Sequence, residues 1–242
     1  MSSFTSQPNA PNSTSATEVR QIFNRIAPIY DRLNDWLSLG QHRIWKKMAV
    51  SWGNPQLGQT WLDLCCGSGD VAALLARRVA PTGHVFGVDF SKELLAIAAQ
   101  KHLPSLQKSI TWQEGDALAL DFADATFDGA TIAYGLRNVI DIPKCFAELH
   151  RVLKSGANVA ILDFHRPSDP TLVKFQEFYL ANIVVPMAKQ QNVEADYAYI
   201  APSIERFPIG SEQVKLAKNA GFSQATHYPI VNGMMGILVL QK

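Results

Sequence analysis

A glycine turn set between an apolar run and a helix constrains this chain most. Thr60-Trp61-Leu62-Asp63-Leu64 is short and apolar and reads as a buried strand. It passes through Cys65-Cys66-Gly67-Ser68-Gly69 into residues 71–79, which read as a helix. Glycines let the backbone turn sharply and approach a ligand closely. Asp89 follows Gly69 by twenty residues and ends the next apolar run, His84-Val85-Phe86-Gly87-Val88. A carboxylate placed there accepts hydrogen bonds from both hydroxyls of a ribose. The pattern opens a nucleotide-type site.

The same alternation continues. Strands are expected at 60–65, 84–89, 109–114, 127–134 and 157–164, with helices at 70–80, 91–101 and 141–154. Pro81-Thr82-Gly83 and Ser155-Gly156 supply turns between them. This order specifies an α/β fold with a doubly wound, mostly parallel sheet. A helix at 211–220, stopped by Gly221, precedes strands at 222–229 and 234–241. Val231-Asn232-Gly233 between them is hairpin chemistry, so the sheet should end in an antiparallel pair. A chain of 242 residues suits one such domain, expected over 17–242. Residues 1–16 lack any charge and are rich in Ser, Thr, Asn and Pro, which reads as a disordered tail. Residues 17–55 read as an N-terminal helical lid, with a helix at 18–27. Residues 168–208 read as a helical insert carrying Leu172, Phe175, Phe178, Tyr179 and Ile183.

The turn alone leaves the cofactor open. Gly67-Ser68-Gly69-Asp70-Val71-Ala72 also fits a dinucleotide fingerprint. Asp63 argues against a pyrophosphate, because a second carboxylate would face it. It would suit a ligand carrying a sulfonium and an ammonium. Gly115-Asp116-Ala117, after a third apolar run, adds a carboxylate able to accept a bond from an adenine amino group. Three carboxylates after three strands favour S-adenosylmethionine. The plainer alternative makes Asp63 a turn residue and Asp116 a cap. The expected cofactor contacts are Asp63, Gly67, Ser68, Gly69, Asp89, Phe90, Asp116, Ala117 and Ala133.

Other classes fall away on simple grounds. A net charge of +1 gives no electrostatic footprint for nucleic acid. The three cysteines, Cys65, Cys66 and Cys145, have no metal-ligand spacing, and reduced thiols in the cytoplasm are expected. The N-terminus lacks the basic start and apolar centre of a signal peptide. Apolar stretches stop short of the roughly 20 residues of a membrane span.

Three stretches carry a family resemblance: Tyr30-Asp31-Arg32-Leu33-Asn34 with Ser38, His42 and Trp45; Gly135-Leu136-Arg137-Asn138; and Arg151-Val152-Leu153-Lys154 with Gly156. Over about residues 18–242 the chain resembles the quinone C-methyltransferases of ubiquinone and menaquinone synthesis, the UbiE/MenG type. It departs from them at Leu33, usually Met, at Ser155-Gly156-Ala157, usually Pro-Gly-Gly, at His165, usually Ser, and at Ala133, usually Ser. These departures resemble the family's cyanobacterial branch.

The resemblance implies a Rossmann-like class I methyltransferase that uses S-adenosylmethionine and no metal. The implied acceptor is a prenylated or phytylated naphthoquinol, foremost demethylphylloquinol. Demethylmenaquinone and ubiquinone precursors stay open as acceptors. An NAD(P)-dependent oxidoreductase and a non-catalytic S-adenosylmethionine-binding partner stay open as other classes. Arg137, placed beside the Gly135 turn, is the candidate to stabilise a quinol oxyanion, with Asn138 orienting it. Its plainer reading is a salt bridge. Tyr30 and His42 are candidates for proton handling, or else pin the lid. His165 is a further candidate to face the pocket. The insert would receive the lipid tail, or simply cover the sheet. A lipid-tailed acceptor implies transient contact with a membrane surface. A homodimer is left open.

Overall fold

The computed structural model describes residues 16–29, 31, 34, 35, 38, 40–101, 104–184, 186 and 200–242. The tail at 1–15, Tyr30 and residues 187–199 of the insert lie outside them; Ala16 already belongs to the first helix. The parallel strands are β1 (Thr60–Leu64), β2 (His84–Asp89), β3 (Ile110–Glu114), β4 (Phe127–Ala133) and β5 (Leu153–Phe164). β6 (Gln224–Ile230) and β7 (Met235–Gln241) form the antiparallel hairpin, with β7 against β5. The sheet runs β3-β2-β1-β4-β5-β7-β6. Strand order reverses between β1 and β4, and in such sheets the crevice at the strands' carboxyl ends is where ligands bind.

The longer helices are α1 (Ala16–Ile26), α2 (His42–Gly53), α3 (Asp70–Val79), α4 (Lys92–Lys101), α5 (Ile142–Val152), α6 (Pro170–Tyr179), α7 (Ile200–Arg206) and α8 (Gly210–Asn219). β1 is buried on both faces, as a central parallel strand must be. Leu62 and Leu64 pack towards Phe146, Leu149 and Val152 of α5. Trp61 faces the other side, with Val50 of α2 and Val71, Leu75 and Val79 of α3. Strand alternation puts Asp63 on that second side too, facing α2 and α3. α3 starts at Gly69, whose φ of +83° suits glycine, and ends on Arg77 and Arg78, which complement the helix dipole.

Two expectations change. Ser155-Gly156 is not a turn between elements. β5 begins at Leu153, directly after α5, and runs through Gly156 at φ +78°. The register against β4 shifts between Phe127 and Gly129, so the glycine makes an irregularity within the strand. The insert also differs from a helix laid on the sheet. α6 has no buried side chain, and Phe175 and Phe178 are exposed. No helix among the described residues is long and apolar enough to cross a membrane.

Candidate active site

A cleft opens at the carboxyl ends of β1, β2 and β4, at the reversal of strand order. Of the expected cofactor residues, Gly67, Asp89, Phe90, Asp116, Ala117 and Ala133 line it. Asp89 is buried and holds the glycine turn to β2: Oδ2 accepts the Gly67 amide at 2.8 Å and Oδ1 the Ser91 amide at 2.9 Å. Each carboxylate oxygen has a second lone pair, so the diol of a ribose can still be bound. Burial pushes the Asp89 pKa up to about 6, against these backbone hydrogen bonds. Asp116 accepts the Leu118 amide at 2.9 Å, which fixes the loop after β3. Phe90 meets Phe23 of α1 with ring centroids 6.0 Å apart, so α1 supplies part of the cleft wall. Gly135 is needed for close approach: a Cβ there would collide with the Cys65 side chain.

Asp63, Ser68 and Gly69 are not among the residues lining this cleft. Asp63 and Ser68 line a smaller polar pocket, which shares Cys65 and Ala133 with the cleft. Asp63 is 1% exposed; its Oδ1 accepts the Thr131 hydroxyl at 2.8 Å, and its Oδ2 has no hydrogen-bond partner among the described residues. Burial pushes its pKa up to about 7, opposed by the Thr131 hydrogen bond. The Ser68 hydroxyl donates to Asp31 at 2.6 Å, so in this conformation Ser68 binds the N-terminal segment. Gly69 acts through backbone shape, at the start of α3. Burial raises the pKa of Cys65 and of Cys66, which disfavours a nucleophilic thiolate at either.

The catalytic candidates separate. Asn138 lines the cleft, and its Nδ2 donates to the Tyr134 carbonyl at 3.3 Å. Arg137 is not among the lining residues. Its Nη1 donates to Asp163 at 2.6 Å and to the Tyr134 carbonyl at 2.8 Å, and its amide donates to Asp163 at 3.0 Å. Both side chains of the pair are buried. In this conformation the guanidinium is engaged by a carboxylate, and it ties residues 134–138 to the end of β5. His42 is buried and its Nδ1 lies 2.7 Å from the Ser38 hydroxyl, away from the cleft. Burial, then Lys46, lowers its pKa. This contact holds the His42 ring against Ser38, four residues before it. His165 meets His227, with Nε2 atoms 3.2 Å apart, under β7.

The family model for the ubiE/COQ5 methyltransferase family matches residues 12–242. The chain belongs to this family. It is similar to the 2-phytyl-1,4-naphtoquinone methyltransferase of Nostoc punctiforme, 62% identical over 93% of this chain and 98% of that protein. It is also similar to the chloroplastic 2-phytyl-1,4-beta-naphthoquinone methyltransferase of Arabidopsis thaliana, 49% identical over 94% and 88% of the two chains. Among solved structures, a SAM dependent methyltransferase from Aquifex aeolicus shares the fold, with a TM-score of 0.63 at 15% identity over 95% and 99% of the two chains.

Family membership makes the chain a methyltransferase with S-adenosylmethionine as donor, and sets the dinucleotide reading aside. The residues present fit that donor. The cleft offers Asp89 and Asp116 for an adenosine, and the buried, unpartnered Oδ2 of Asp63 suits a cationic group.

Sequence reasoning missed Phe23, Lys46 and Asp163. Lys46 had a signal: in α2 it stands on the stripe of His42, Ala49, Val50 and Gly53, which is buried. A lysine there needs a carboxylate, and Asp70 provides one at 2.9 Å.

Proposed function

We propose that this chain transfers a methyl group from S-adenosylmethionine to a ring carbon of 2-phytyl-1,4-naphthoquinol, giving phylloquinol. The supporting observation is that relatives 62% and 49% identical over nearly the whole chain, one bacterial and one chloroplastic, carry the same substrate in their names.

Bound S-adenosylmethionine supplies a methyl group on a sulfonium, with a neutral thioether as leaving group. The acceptor must be the quinol. Loss of a hydroxyl proton pushes electron density onto the ring carbon, whereas the oxidised ring is electron-poor. As that carbon bonds to the methyl, the S–CH₃ bond breaks with its electron pair left on sulfur; the carbon then loses its proton and aromaticity returns. The protein's part is to orient and to exclude water. Apolar walls, with Phe23, Leu64, Val88 and Phe90 among them, keep the cleft dry. Asn138 stands at the cleft to bond a quinol oxygen, and Arg137, held by Asp163, positions the loop that carries it.

A phytyl tail keeps the acceptor in lipid, so the enzyme meets it at a membrane surface. Exposed Phe175 and Phe178 on α6 suit that contact. The test is methyl transfer from labelled donor to a panel of demethylated quinols, held reduced under anaerobic conditions. The expected result is turnover preferring the phytyl naphthoquinol; preference for a benzoquinol would overturn the substrate assignment.

A further inference from the structure

Charge is unevenly spread along the chain. The net charge is +1, yet residues 41–83 hold the basic side chains Arg43, Lys46, Lys47, Arg77 and Arg78 against the acidic Asp63 and Asp70. Both acidic residues are engaged inside. Asp63 is buried in β1, and Asp70 is held by Lys46 at 2.9 Å and by Lys101. The excess points outward, along a groove between α2 and α3. Exposed Arg43 and Lys47 of α2 and exposed Arg77 of α3 line it, with Ala73 and Leu74 between them. The other two carboxylates that line it are matched, Asp35 by Arg43 at 2.7 Å and Asp31 by Lys101 at 2.6 Å. The side chains of Lys47, Arg77 and Arg78 make no ion pair or hydrogen bond among the described residues.

Apolar side chains stand among these charges. Leu57 and Ile44, 74% and 64% exposed, are the two most exposed large apolar side chains among the described residues. Ile44 lies between Arg43 and Lys47 on the outer side of α2. Leu57 precedes Gly58, whose amide donates to the Val79 carbonyl at 2.8 Å, so it stands at the end of α3 that carries Arg78. A soluble polyanion uses the cations of such a face and leaves its apolar groups in water. An anionic lipid surface uses both: its phosphates attract the basic side chains, and the apolar ones enter between the headgroups. We propose that the face made by α2 and α3 docks on a membrane that carries anionic phospholipid headgroups. The choice of a lipid partner rests in part on the lipid-tailed acceptor proposed above. The face adjoins the donor site, because Asp70, which holds Lys46 of α2, directly follows the glycine turn. Docking through it brings the enzyme to the bilayer whether or not an acceptor is present.

The test uses no quinol, so its outcome is separate from the substrate assignment. The full chain is floated with vesicles of phosphatidylcholine alone, and of phosphatidylcholine with phosphatidylglycerol in equal parts. It should partition onto the anionic vesicles, and added salt should release it. One basic side chain near such a surface contributes about five-fold to the partition, so Lys47→Gln with Arg77→Gln should weaken binding by about 10- to 30-fold. Ile44→Ser with Leu57→Ser should also weaken it. Lys144→Gln with Lys215→Gln, on α5 and α8 across the sheet, should leave it unchanged. All six positions are exposed, so the variants keep the fold. Equal binding to both vesicles, native binding by the Lys47 and Arg77 pair, or an equal loss in the Lys144 and Lys215 pair would overturn the docking face. So would native binding by the Ile44 and Leu57 pair together with equally tight capture on heparin, because the partner is then a soluble polyanion. If the chain docks and methylates no quinol, the substrate assignment fails and the face stands.

Discussion

Asp163 binds Arg137 twice, through the backbone amide at 3.0 Å and through the guanidinium at 2.6 Å, although the two residues lie 26 apart in the chain. The pair is buried, and the Arg137 guanidinium also lies over the Phe164 ring at 5.2 Å. This contact joins the end of β5 to the loop after β4 that carries Asn138. Removing either partner leaves a buried charge unmatched. Asp163→Asn and Arg137→Ala should each lose about 3–5 kcal/mol of unfolding free energy, read by denaturant titration. Replacing both, Arg137→Met with Asp163→Leu, should restore most of that stability while turnover stays low, because the loop is no longer held. Full turnover in the double variant would remove the positioning role.

Asp89 holds the glycine turn, and in the proposed function it also holds the ribose of the donor. Asp89→Ala should forfeit two charge-assisted bonds to the ribose, each worth about 1.5–3 kcal/mol, and so weaken donor binding by about 10²–10⁴-fold. Calorimetry on the folded variant checks this; native affinity would exclude the ribose contact.

Donor binding should depend on pH between about 5 and 8. Burial raises Asp63 to about 7 and Asp89 to about 6. A ligand ammonium and ribose favour the ionised carboxylates, so binding should release protons near pH 6, and affinity should rise with pH and level off above about 8. The sign for stability is opposite. The free folded protein binds more protons at these groups than the unfolded chain from about pH 4 to 7, so their contribution to stability falls as pH rises through that window. Calorimetry in buffers of different ionisation enthalpy measures the protons; proton uptake near pH 6 would contradict the assignment.

The parts of the site legible in the sequence were those fixed by local pattern. The turn at Gly67 and the strand-end position of Asp89 follow from apolar runs and spacing, and both line the cleft. The direction of a side chain within the turn did not follow. Ser68 sits one residue from Gly67, yet its hydroxyl is taken by Asp31. Gly156 has the look of a turn, but pairing with β4 and β7 absorbs it into β5. The Arg137–Asp163 contact had no local signal, because it forms only when β4 and β5 lie side by side. The lysine at 46 was readable in principle, as a charge on a buried helical stripe.

The central claim is ring methylation of a reduced phytyl naphthoquinone. The direct measurement incubates the full chain with methyl-labelled S-adenosylmethionine and 2-phytyl-1,4-naphthoquinone, anaerobically reduced in one arm and oxidised in the other, and follows label in the extracted quinone by mass spectrometry. The account predicts a single added methyl on the ring in the reduced arm and none in the oxidised arm. Label on oxygen, or equal incorporation in both arms, would contradict it.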